Sequence, residues 1–214
     1  MRKVLVGLTV VVSLVAVAAY AADNIVGTKH DLSSTTGNPI SGDSTEVCVY
    51  CHTPHGAATS AYGPLWNRAY TVPSFTMYTS ATINMTISAG PGPRSLACLS
   101  CHDGTTALGA LVNGPGSGNG ATNLGSTKIT GTYTNLGTNL SNDHPIGIDY
   151  DNTKDTAFRA ASSVTTNGLT LYNEGGLANG VECASCHKVH DNSYGMFLRK
   201  NNASSALCTT CHIK

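Results

Sequence analysis

CASCHKVHDNSYGMFLRKNNASSALCTTCH, residues 183–212, packs four cysteines and three histidines into one short polar stretch. Two five-residue units frame it, Cys183-Ala-Ser-Cys186-His187 and Cys208-Thr-Thr-Cys211-His212. The same unit stands twice upstream, as Cys48-Val-Tyr-Cys51-His52 and Cys98-Leu-Ser-Cys101-His102, so the four copies use all eight cysteines of the chain. We number them motifs 1 to 4 in chain order. Two thiols separated by two residues lie on one short helical turn, where they can form thioethers to the two vinyl groups on one edge of a haem. The histidine next in line then presents an imidazole to the iron. The spacing therefore points to four covalently attached c-type haems. Four disulfides, zinc sites of the Cys₄ or Cys₃His kind, and a thioredoxin-like dithiol draw on the same residues. None of them calls for a histidine after every second cysteine.

The remaining histidines are His30, His55, His144 and His190. Four irons with one proximal histidine each need four more ligands, and the supply equals the demand, so the expected iron ligands are His52, His102, His187 and His212 together with His30, His55, His144 and His190. Met77, Met85 and Met196 are competing sulfur ligands, of which Met77 and Met85 are expected to fill gaps against porphyrin faces. His55 follows His52 by three residues, as His190 follows His187. Side chains three apart on a helical turn project to one side, whereas axial ligands approach an iron from opposite faces. His55 and His190 must therefore serve other haems, which draws the haems close together.

At the N-terminus Arg2 and Lys3 precede an apolar run from Val4 to Ala19 that ends in Ala19-Tyr20-Ala21, the pattern of a cleaved secretory signal over residues 1–21. The mature chain, residues 22–214, is expected to be one tetrahaem domain, exported and without a membrane span. It has three Phe and one Trp, a thin supply for a side-chain core, so the cofactors must provide much of the apolar interior. Charge is balanced at 12 basic and 12 acidic residues, which excludes the basic face that nucleic acid requires.

The expected architecture is a haem-cored, mostly irregular fold with short helices and few strands. Helical signals lie around each motif, over 153–162 and over 201–208, and strands are expected within 64–86. Residues 128–135 alternate weakly, as a hairpin strand at best, within a polar stretch around 104–143 that forms a soft boundary. Tyr50, Tyr62, Tyr70 and Tyr194 are expected to cover haem edges.

In order, KHDLSSTTG (29–37), EVCVYCHTPHG (46–56), PLWNRAY (64–70), ACLSCHDGTTALG (97–109) and DHPIG (143–147), followed by the C-terminal stretch quoted above, resemble the extracellular multihaem cytochromes of metal-reducing bacteria. The resemblance runs from about Ile25 to the end. It implies an electron-transfer protein rather than an enzyme, a homopolymeric filament or nanowire with a continuous line of haems, redox-partner cytochromes, and external acceptors such as metal oxides. It also implies ligand pairs: His52 with His30, His102 with His144, His212 with His190, and His187 with His55 of a neighbouring subunit. A soluble periplasmic shuttle is the alternative. A multihaem reductase is a further one, disfavoured because every attachment motif keeps its proximal histidine and none is spare.

Overall fold

The computed structural model describes residues 24–59, 62–116 and 122–213. The secretory signal expected over residues 1–21 lies outside them. Among the described residues no helix is long and apolar enough to cross a membrane. Most of the chain is turn and irregular loop, as its Gly, Ser, Thr and Asn content dictates.

Among the described residues the longest helix, α1, runs from Pro93 to His102. It starts with Pro93 in the first turn, where a missing N–H costs nothing, and ends at Asp103, whose N–H donates to Leu99 O at 3.0 Å. Ser95, Leu99 and Ser100 form its buried face, and Leu99 is fully buried. Helix α2 covers Ala161–Thr166 and α3 covers Cys183–Cys186; 3₁₀ turns follow at Ala203–Ser205 and Cys208–Thr210.

Four short strands, β1 (Thr86–Ile87), β2 (Ile148–Asp149), β3 (Tyr172–Glu174) and β4 (Leu177–Val181), form one antiparallel sheet in the order β1-β2-β4-β3. Ile87 faces Ile148, Ile148 faces Val181, and Glu174 faces Leu177. Gly175 and Gly176 join β3 to β4 with φ of 63° and 82°, the left-handed pair that a two-residue hairpin turn needs.

Two small apolar clusters flank the motifs. Met85, Ile148, Tyr150, Val164 and Leu169 pack between the sheet and α2; Tyr50, Leu108 and Leu124 pack beside motif 1. The irregular, short-element architecture agrees with expectation, and several boundaries do not. The expected helix over 153–162 lies later, at Ala161–Thr166, because Asp151 and Asp155 bond the backbone N–H groups of Thr153 and Ala157 and hold turns there. Residues 128–135 hold no strand; Thr134 and Asn135 both donate to Gly131 O and close a turn instead. Of the strands expected within 64–86, the segment yields isolated bridges and the first residue of β1.

Candidate functional site

Each motif closes one helical turn. His52 N–H donates to Cys48 O at 2.8 Å, His187 N–H to Cys183 O at 3.1 Å, and His212 N–H to Cys208 O at 3.0 Å. In motif 2 the same turn is the last of α1. The turn stops at the histidine in motifs 1 and 3, where His52 bridges to Trp66 and His187 to Leu198. His55 and His190 are therefore not on a helical face with their neighbours. The helical premise fails, yet His190 does turn away from motif 3.

The histidine rings carry the geometry furthest. Nδ1 of His52 lies 2.8 Å from Pro64 O, that of His102 2.7 Å from Thr134 O, and that of His187 2.9 Å from Met196 O. His144 Nδ1 is 3.0 Å from Pro145 O. A carbonyl only accepts, so Nδ1 carries the proton and Nε2 keeps its lone pair for a metal. Three pairs of rings then face one another: His30 and His102 with centroids 6.0 Å apart, His52 and His190 at 6.2 Å, and His144 and His212 at 6.4 Å. Two imidazole nitrogens each about 2 Å from one metal put ring centroids on the order of 6 Å apart. The pairs thus have the spacing of two imidazoles on one iron.

These ring neighbours differ from the ligand pairs implied by resemblance. His52 faces His190 and not His30; His102 faces His30 and not His144; His212 faces His144 and not His190. The cause is local anchoring. Asp31, wholly buried, accepts from Gly27 N–H at 2.9 Å and Ser33 Oγ at 2.7 Å, and Asn38 Nδ2 donates to Asp31 O at 2.9 Å. That knot fixes the loop bearing His30, whose ring lies 4.3 Å from Phe197. Burial first, then the imidazoles of His102, His187 and His190, lower His30 to about 4, so it is neutral at pH 7. Its Nδ1 is buried and meets no protein partner. Phe158 packs on His212 at 4.5 Å.

No disulfide joins any of the eight cysteines, and sulfurs of consecutive motifs are neighbours. Burial pushes Cys51 up to about 12, with Cys101 adding to the rise. The Cys98 thiol donates to Cys183, raising the first and lowering the second. Burial, with Cys186 and Cys208 close by, pushes Cys211 up to about 11. The motifs therefore follow one another in space as in sequence. Among the described residues no three His, Cys, Asp or Glu side chains converge as a metal cage.

Motifs 2 and 3 are tied by a buried polar knot. Ser95 Oγ donates to Glu182, accepts from Cys183 N–H at 2.9 Å, and Glu182 N–H donates to Ser185 Oγ at 2.9 Å. A cavity of about 830 Å³ opens on motifs 3 and 4 and on His144, walled by apolar side chains such as Met85, Leu99, Leu140, Leu169 and Val181. An apolar slot carrying paired thiols and metal-ready imidazoles fits a covalently held haem. A second cavity, of about 510 Å³, lies between motif 1, His55 and Asn113.

Met85 packs in the core, while Met196 is 76% exposed. Tyr50 is buried, Tyr62 and Tyr70 meet edge to face at 5.9 Å, and Tyr194 is half exposed. The carbonyls of Pro64, Thr134 and Met196, the Ser95–Glu182 knot and the two phenylalanines against His30 and His212 carry no local sequence signal and were missed.

No curated protein matches the chain. A family model described as the doubled CXXCH motif matches residues 175–214, which hold motifs 3 and 4. That match covers the C-terminal pair of motifs alone; together with the eight cysteines it indicates covalently attached c-type haem.

Proposed function

We propose that the chain holds four haems, each iron between two histidines, and that it works outside the cell as a polymer carrying electrons along a line of haems to acceptors such as metal oxides. The observation that carries this reading is the set of imidazole pairs. Three pairs supply both ligands for three irons and use every histidine except His187 and His55. An iron at motif 3 then has its proximal ligand and lacks a second within its own chain. His55 is exposed and stands beside motif 1, the first of the series. Its imidazole serves motif 3 of the next copy, so each junction is completed by a coordination bond.

Bound haem supplies a one-electron ferric/ferrous couple. The protein's own part is to hold that couple still. Carbonyls of Pro64, Thr134 and Met196 fix the ring tautomers, and apolar walls keep water away. With both axial positions filled there is no open site for a substrate. The ligand shell then changes little between oxidation states, which suits a carrier.

His55→Ala tests the reading. The variant should keep four haems per chain by intact mass, give short filaments or none in electron micrographs, and show one high-spin iron in four. Filaments of normal length with every iron low-spin would refute the bridge. A monomer at high concentration with four six-coordinate irons would favour the periplasmic shuttle.

A further inference from the structure

The bonds around motif 1 recur around motif 3, residue for residue. Asn67 N–H donates to Cys51 O at 2.8 Å as Arg199 N–H does to Cys186 O at 2.8 Å; Thr53 N–H reaches Leu65 O at 2.9 Å as Lys188 N–H reaches Phe197 O at 2.7 Å. Leu65 and Phe197 share a left-handed backbone, with φ of 53° and 56°. Pro64 and Met196 hold the two proximal imidazoles. Continuing the register one residue past Asn67 and Arg199 sets Arg68 against Lys200. Arg68 Nη2 reaches Ser100 O at 3.3 Å, and Lys200 Nζ reaches Thr210 Oγ1 at 2.9 Å. In each case the cation meets the residue before the second cysteine of the next motif. Motifs 1 and 2 are thus built on the same plan as motifs 3 and 4.

The two cations differ in their surroundings. Lys200 is half-buried, but Arg68 is 1% exposed. The Arg68 guanidinium donates to the carbonyls of Leu108, Ala107 (2.6 Å) and Ser100, none of them charged, and its Nε is buried with no partner. Burying a cation without a counter-charge is costly. Carbonyl dipoles offset part of that cost and leave the net charge in place. It stands beside both attachment sites: Ser100, whose carbonyl it reaches, precedes Cys101, and its neighbour Asn67 donates to Cys51 O at 2.8 Å.

We propose that Arg68 sets the reduction potential of the haem at Cys98 and Cys101, and to a smaller extent that at Cys48 and Cys51, holding them above the haem of motif 4. The inference rests on the haem reading of the motifs. When a ferric iron takes up one electron its site loses one positive charge, with no bond made or broken. A fixed cation in a low-dielectric interior therefore favours the reduced form. Lys200, closer to water, does the same more weakly at motif 4.

The test is a spectroelectrochemical titration of the haem-loaded protein beside Arg68→Met, Arg68→Lys, Ala107→Asp and Lys200→Met, with haem content measured by the pyridine assay. Arg68→Met should keep all four haems and shift one couple down by about tenfold in the reduced-to-oxidised ratio, about 59 mV for one electron. Arg68→Lys should stay near the unaltered value, and Lys200→Met should shift a different couple by less. Ala107→Asp, which keeps the arginine and sets a carboxylate beside it, should lower the same couple as Arg68→Met, and it decides the matter if the methionine variant does not mature. Haem-replete variants with every couple unmoved, or a lysine variant that falls as far as the methionine one, would overturn the inference. An unaltered protein without covalent haem would overturn the reading beneath it.

Discussion

Ser95→Ala probes the contact that fixes motif 2 against motif 3. Ser95 is wholly buried and Glu182 is 1% exposed. Removing the hydroxyl strips Glu182 of a donor and leaves Cys183 N–H, 2.9 Å from Ser95 Oγ, without an acceptor. An unsatisfied buried group costs about 1–3 kcal/mol; two such groups, with partial relaxation, give about 3 kcal/mol. For a chain of this size that lowers Tm by about 6–12 °C. Ser100→Ala on the same helix is the reference, because that hydroxyl bonds Ala97 O on its own turn at 2.7 Å and its loss orphans no N–H; it should cost under about 1 kcal/mol. Thermal melts of the haem-loaded variants, followed at the Soret band, give both numbers. If Ser95→Ala and Ser100→Ala melt together, the knot does not hold the two motifs.

Glu182→Gln checks the sign of a titration. Burial raises the Glu182 carboxyl above its usual value, so the folded state takes up a proton before the unfolded one. The unaltered protein gains stability as pH falls through the raised folded pKa, and the gain is complete below the unfolded value of about 4.3. Urea midpoints measured between neutral and acid pH should rise for the unaltered protein relative to the glutamine variant. Gly92→Ala should destabilise by about 1–3 kcal/mol, since its Cβ would press on Glu182 Oε1, and Glu182→Gln should not relieve it. Asp31→Ala should cost about 2–4 kcal/mol through the lost buried bonds at Gly27 and Ser33, with partial loss of the low-spin signal as His30 is freed. His190→Ala should expose the iron of motif 1 to carbon monoxide after reduction. Removing Cys48 and Cys51 in that background should abolish the carbon monoxide band, whereas removing Cys208 and Cys211 should leave it.

What could be read from the chain alone was what obeys local chemistry. The four motifs fix thiols and proximal imidazoles within five residues each, and the shortage of Phe and Trp fits the small size of the two apolar clusters. Strands β2 to β4 were missed because each is too short to show a period, and what holds them is long-range pairing, Ile148 against both Ile87 and Val181. The shift of α2 to Ala161–Thr166 has the same character: the polar run ahead of it competes for its own N–H groups, and propensity alone does not weigh that competition.

The ligand pairs show where local reading ends. Spacing led to the expectation that His190 leaves its neighbour, on a helical premise the fold does not keep, and its destination depends on how the two copies of one plan sit against each other. In both copies the segment after the second histidine returns to the motif, bridging at Trp66 and at Leu198. That return aims His190 out of its own unit and onto His52. His55 stands at the matching place after motif 1 and is exposed. A second histidine that reaches another copy's proximal ring, as His190 does, is served only when units follow one another. The repeat inside one chain therefore supplies a geometric reason for proposing the repeat between chains. On the proposed reading His190→Ala and His55→Ala should differ accordingly: the first opens an iron within every monomer, and the second opens one only by undoing the proposed junction.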